Sequence, residues 1–216
     1  MLWHPRSVKA DDIAKELLAH SEALKFEVDT LAGCFAGSRF FNDTNNFRHA
    51  HFGYLMACMA QIDALSVFEQ GALGGKQTPR MMGFLGRYMP GGGLEEHRVA
   101  LELFRHKLMH LGRQAFVFDT TTDIAYTWRL QFTDVEKIRL RHFTLSVLDP
   151  ATEPELLSYL SSTPSAVKAL NIHLPSLADD IHRLSKSYVT AMLADAGLRQ
   201  NAENVYPKIR LQTFDS

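Results

Sequence analysis

The stretch Leu94-Glu95-Glu96-His97-Arg98-Val99-Ala100-Leu101-Glu102-Leu103-Phe104-Arg105-His106-Lys107-Leu108-Met109-His110-Leu111-Gly112 decides the fold class. Leu94, His97, Leu101, Phe104, Leu108 and Leu111 recur at steps of three and four, which predicts one narrow apolar stripe of a helix facing a bundle core. Three further helical segments precede it. Ile13, Leu17, Leu18, Leu24, Val28, Leu31 and Phe35 give a stripe over about 11–35, with Asp11 and Asp12 as candidate caps. The segment from Phe47 to Ala72 carries Phe52, Leu55, Met56, Met59, Ile62, Leu65 and Phe68 on more than one stripe, so it reads as a helix covered on two sides. Thr78-Pro79 opens a short helix to about Met89, which Pro90-Gly91-Gly92-Gly93 ends.

Beyond Gly112 the period changes to two. Phe116, Phe118, Ile124, Tyr126, Trp128, Leu130 and Phe132 alternate with polar residues around Thr120-Thr121-Thr122-Asp123, the pattern of a β-hairpin. Ile138, Leu140, Leu145 and Val147 suggest another strand, and Leu170-Asn171-Ile172-His173-Leu174 a short one. Glu153 to Ser161 reads as helix, and Ser176 to Ala196 as a long final helix closed by Gly197. The expected fold is therefore mainly α. A four-helix bundle spans 10–113, a β-hairpin or small sheet with further helix spans 114–200, and a tail without assignment spans 201–216.

Composition narrows the function classes. The chain has 216 residues and is 46% hydrophobic, enough to build a core and too apolar for a disordered polypeptide. Its 23 Lys+Arg against 24 Asp+Glu argue against a dedicated duplex-DNA binder. Cys34 and Cys58 are too few for a disulfide framework and read as small buried hydrophobes in a reducing compartment. No secretory signal and no membrane-spanning run is visible, so the expected location is cytoplasmic. Gly71-x-x-Gly74-Gly75-Lys76 lacks the phosphate-loop register and reads as a helix cap followed by a turn.

Charge is uneven along the chain. The span 76–113 carries roughly +4, while both flanks are slightly acidic. Within it, Arg105, Met109, His106 and His110 fall in an arc of about 140° if the helix continues. A guanidinium offers a positive fork for phosphate oxygens, and an imidazole one turn on can take and return a proton near neutral pH. RNA carries its own nucleophile in the 2′-hydroxyl, so such a pair could cleave it without a metal. The plain alternative is that Arg105 and His110 are solvated residues of an amphipathic helix.

Four helices ending in Arg105-His106-Lys107-Leu108-Met109-His110 resemble the HEPN superfamily of all-α domains (higher-eukaryote and prokaryote nucleotide-binding) over about residues 10–113. The resemblance implies a homodimer with the motif helices facing across a cleft, and a metal-independent endoribonuclease of a toxin–antitoxin, defence or RNA-processing system. It would make His110 the acid/base group and Arg105 the phosphate stabiliser, with His106 positioning the phosphate. Arg98, Lys107 and Arg113 are the accompanying RNA-backbone candidates. RNA, a second copy and an antitoxin protein are the partners it implies; no cofactor is called for. Members of this group that have lost catalysis bind RNA, nucleotide or protein through the same surface, which is the alternative reading. The segment after Gly112 departs from a minimal domain of this type.

Other histidines invite a metal reading, since His49 and His51 join His97, His106, His110 and His142. Zinc needs three or four converging ligands, and alternate helical residues point about 200° apart, so no metal site is expected. His97, on the apolar stripe, reads as a satisfied core or interface histidine. Tyr126, Trp128 and Phe132 share one strand face, where packing on the bundle is favoured over stacking on RNA bases. Arg129, Lys137, Arg139 and Arg141 form a secondary basic strip. Met81, Met82 and Met109 are candidates for a dimer contact.

Overall fold

The computed structural model describes residues 8–35, 48–89, 93–104, 117–131, 142–149 and 163–210. These form six helices and four strands: α1 (Ala10–Phe35), α2 (Arg48–Gln70), α3 (Gln77–Tyr88), α4 (Leu94–Leu103), β1 (Val117–Asp119), β2 (Ile124–Gln131), β3 (Phe143–Val147), β4 (Ala166–His173), α5 (Leu174–Ala194) and α6 (Ala196–Arg210). The protein is mainly helical with one small sheet. Among the described residues, no helix is long and apolar enough to cross a membrane.

Helix α1 buries Ala10, Ile13, Ala14, Leu17, Leu24 and Val28 along one face, as its spacing demands. Asp11 and Asp12 lie inside the first turn rather than at the cap, where negative charge complements the helix dipole. The long contact of α1 is with α5. The Ser21 hydroxyl, fully buried, donates to Leu18 O and meets His182 Nδ1 at 3.1 Å across that seam. At its start, the Ala10 amide donates to Glu203 Oε1 of α6 at 3.0 Å. Helices from the N-terminal and C-terminal parts of the chain therefore share one core, which also takes in α2, α3 and the inner face of the sheet.

Helix α2 ends at Gly71, whose φ of +75° suits a residue without a Cβ and whose amide returns to Val67 O at 3.0 Å. The glycine cap read in the sequence is thus present. Helix α3 begins at Gln77 with Lys76 as its cap residue, placing Thr78-Pro79 within the first turn. Arg80 ties α3 back to α2: its Nη2 donates to Asp63 Oδ1 at 2.6 Å and its Nε to Ser66 Oγ at 3.0 Å.

The sheet order is β1-β2-β4-β3. β1 and β2 form the expected hairpin, with Asp123 at φ +54° in its turn, a conformation Asp tolerates. β2 and β4 run parallel, and β3 closes the far edge antiparallel to β4. Tyr126, Trp128 and Leu130 of β2 point to the same side as Leu170 and Ile172 of β4 and Phe143 and Leu145 of β3, and all join the helical core. Packing on the helices therefore holds for Tyr126 and Trp128; Phe132 lies outside the described residues. Ala125, Val167 and Ala169 gather with Leu148 in a small second cluster on the opposite face.

Three expectations change here. Helix α4 does not show one narrow stripe: Leu94 is 71% exposed, whereas Val99, Ala100 and Leu103 are buried together with His97, Leu101 and Phe104. The reason is that α4 lies between α3 on one side and the sheet on the other. Helix α5 starts at Leu174, because His173 acts as its cap, Nδ1 accepting from the Ser176 amide at 3.2 Å. It ends at Asp195, not Gly197. The Asp195 carboxylate then accepts from the Leu198 amide at 2.9 Å and opens α6, so 196–210 is helix with Ala202, Val205 and Tyr206 buried.

Candidate functional site

Of the residues singled out for chemistry, Arg105, His106, Lys107, His110 and Arg113 lie outside the described residues. So do Lys137, Arg139, Arg141, Met109 and the helix expected over Glu153 to Ser161; the side chains of Cys34, His49 and His51 do as well. Arg98 is described. Its guanidinium, 44% exposed, donates to Asp119 Oδ2 at 3.2 Å, so its charge is shared with the β1 end of the hairpin. Backbone hydrogen bonds, first from Thr121 and then from Thr122, hold the Asp119 carboxyl below its ordinary range, with Arg98 assisting.

One turn earlier, Glu95 links α4 to the sheet. Lys168 Nζ and the Tyr126 hydroxyl both donate to Glu95 Oε1, each at 3.1 Å. Tyr126 and Lys168 are register partners on β2 and β4, so one carboxylate spans the parallel pair. The Lys168 hydrogen bond, ahead of the Tyr126 one, lowers the pKa of Glu95; burial and the Glu95 bond raise that of Tyr126.

The densest group of titratable side chains lies beneath α4. His97 Nε2 and His142 Nε2 are 3.1 Å apart, and His142 Nδ1 donates to Asp180 Oδ2 of α5 at 2.6 Å. Only 3% of His97 and 2% of His142 are exposed. Asp180 leads outward to Arg183, whose Nη2 donates to its other oxygen. The imidazole planes are 17° apart with centroids 5.4 Å apart, and the Phe143 ring stands edge-on to both. The gap between centroid and nitrogen spacings is what two imidazole half-widths occupy. The nitrogens therefore face each other head-on, as in a linear N–H···N bond. Two imidazoles serving one zinc would converge on it at an angle instead. No group of three His, Cys, Asp or Glu able to hold a metal ion occurs among the described residues.

Burial first, and the neighbouring His142 second, push the His97 imidazole down to about 4, against a smaller opposing pull from Asp180. Burial works against the Asp180 charge, but the hydrogen bond and charge of His142, joined by Arg183, outweigh it and leave its pKa lowered. His97 is the satisfied core histidine that its place on the apolar stripe implied. Its partners were not legible together, since no spacing relates positions 97, 142 and 180. The buried Cys58 thiol is also satisfied as a small hydrophobe, burial raising it to about 12.

A groove of about 770 Å³ runs along α2, lined by Met56, Ala60, Val67, Leu73, Phe104 and Ile209. Its polar members, Asp63 and Gln77, bond each other at 3.0 Å, and no acid–base pair opens into it among the described residues. No family model matches the chain, and neither a curated protein nor a solved structure matches it.

Proposed function

We propose that the protein is a metal-independent endoribonuclease of the HEPN type, working as a homodimer on single-stranded RNA. One observation carries this reading: Arg105 and His110 stand four intervening residues apart in the basic span of the chain, directly after a helix that is fixed in the core. Phe104, the residue before Arg105, is 5% exposed, so the motif segment leaves from an anchored point between α3 and the sheet. In the proposed reaction His110 takes the 2′-hydroxyl proton, and the freed oxygen attacks the adjacent phosphorus. The bond to the 5′-oxygen then breaks, and that oxygen receives a proton from the same imidazole. Arg105 neutralises the extra charge on the phosphoryl oxygens. His106 helps to position the phosphate, and Lys107 and Arg113 contact the RNA backbone. Arg98 contributes less, because Asp119 already occupies part of its fork.

The test is cleavage of single-stranded RNA in EDTA by the wild type and by His110→Ala. Wild type should yield fragments ending in 2′,3′-cyclic phosphate, and the variant should be slower by about 10²–10⁴-fold, the usual contribution of a general acid–base group. Equal rates remove His110 from the mechanism. Binding without any product from the wild type would support the second reading, a non-catalytic RNA-, nucleotide- or partner-binding protein.

A further inference from the structure

His97, His142 and Asp180 come from three separate elements: α4, the residue before β3, and α5. Their hydrogen bonds join the three, with Phe143 packed against both imidazoles, while Glu95 and Arg98 tie α4 separately to β2, β4 and the end of β1. The backbone continues the join, since the His173 amide donates to His142 O at 3.0 Å. Neighbouring titratable groups among the described residues have partners of their own. His173 Nδ1 is held by Ser176 Oγ at 2.7 Å. Arg183 serves Asp180 and also Asp179, at 2.8 Å, and Asp179 meets Lys25 of α1 at 3.8 Å. The charges of Asp179 and Asp180 are thus met by Arg183 and Lys25, and His182 of the same helix, its pKa lowered first by burial, faces Ser21 of α1 instead.

Proton counting fixes how they respond. His142 gives its Nδ1–H to Asp180, so the Nε2 atoms must share the remaining hydrogen. With both rings neutral, His97 donates and His142 accepts. One added proton enters at His97 Nδ1 as the hydrogen between the rings passes to His142 Nε2, so the bond reverses: His142 donates and His97 accepts. The contact survives either way. A second proton places N–H against N–H at 3.1 Å inside the core and leaves no acceptor. The contact cannot then persist.

We propose that His97, His142 and Asp180 form a proton-operated latch that holds α4 against β3 and α5, closed with no more than one added proton and opened by a second. The latch stands independently of the nuclease reading. Its consequence is an acid-triggered loosening of the helix that leads into the 105–113 segment. The depressed value of His97 fits the second step: it is about 4 in the fold, against an ordinary 6.5. A depressed folded value means that the stabilisation is fully present above about 6.5 and is lost as pH falls towards about 4.

The test is a ring-nitrogen NMR titration of the full chain labelled with ¹⁵N-histidine, with and without EDTA, alongside urea unfolding at each pH. His142 Nδ1 should carry a proton throughout. One hydrogen should be shared by the two Nε2 atoms, and His97 should take up its own proton only near pH 4, with the urea midpoint falling as pH drops from about 6.5 to about 4. His97→Phe should flatten that fall, and Asp180→Asn should move acid unfolding to higher pH. A His97 ring that titrates near 6.5 in an intact fold overturns the latch, as do parallel pH–stability curves for wild type and His97→Phe. Signals of both rings that change on adding EDTA also overturn it, because a bound metal would then stand where the shared proton is placed. If His97→Phe does not fold, the wild-type titration and Asp180→Asn decide.

Discussion

Removing the Asp63 carboxylate should unfasten α3 from α2, by an amount the structure allows to be worked out. Asp63 accepts from Arg80 Nη2 at 2.6 Å and from Gln77 Nε2 at 3.0 Å. The Arg80 side chain is 10% exposed and that of Asp63 29%, so the pair is shielded on the arginine side and partly wet on the other. A bond between charged groups contributes about 1.5–3 kcal/mol and a neutral donor bond about 0.5–1.5 kcal/mol. Partial hydration of Asp63 takes some of that away. Asp63→Ala should therefore cost about 3 kcal/mol, largely because Arg80 keeps its charge with only Ser66 Oγ and Gly74 O as acceptors. For a chain of this length, that is a fall in Tm of about 6–12 °C. Urea denaturation followed by circular dichroism gives the free energies of Asp63→Ala, Arg80→Ala and the double variant. The coupling between the two positions should exceed about 1 kcal/mol. Additive losses, within about 0.5 kcal/mol, would refute the argument and leave the pair as a surface contact without energetic consequence. Arg80→Lys should not rescue, since an ammonium cannot address Ser66 and Asp63 with one rigid fork.

Two further outcomes follow from geometry. Gly71→Ala should cost about 2 kcal/mol in the same denaturation assay, because φ is +75° and a Cβ would stand 2.5 Å from Asn201 Oδ1; a loss under about 0.5 kcal/mol would contradict it. In a Cys34→Ser background, Cys58 should resist a thiol reagent at pH 8 and react at once in denaturant, since its buried thiol is raised to about 12. Reaction at the speed of a free thiol in the native protein would show that α2 opens there.

Local pattern foretold local structure well. The alternation around Thr120–Asp123 led to the hairpin, the three-and-four spacing of Ile13, Leu17, Leu24 and Val28 to the buried face of α1, and the glycines of 71–75 to the end of α2, which comes at Gln70 rather than at the expected Ala72. Pairing was another matter. Period-two alternation marks β4 as a strand but says nothing of its parallel partner, 42 positions away in register at Ile124 and Ala166. Helix α6 was obscured by Gly197 near its start and Pro207 within it, and by a buried face of only Ala202, Val205 and Tyr206. The second buried side of α4, with Val99 and Leu103, depends on α4 meeting both α3 and the sheet, which no window on α4 itself contains. Among the chemical groups, His97 and His142 stood out only as two members of a scattered histidine set. What unites them is Asp180, an acidic residue on a helix rich in ordinary charges, and the three meet through tertiary packing alone. Arg98 illustrates the reverse: read as free positive charge, it is partnered by a hairpin residue that becomes its neighbour only on folding.

The closure of α1 by α5 and α6 bears on how the chain is made. The Ala10 amide finds Glu203, 193 positions later, and Tyr206 returns to Glu16 in the same way. At ribosomal speeds of about 5–20 residues per second, the first helix waits about 10–40 s for the segments that cover it. The part of the α1 face that α5 and α6 cover stays wet throughout that interval, an invitation to chaperones that a truncated nascent chain would keep open.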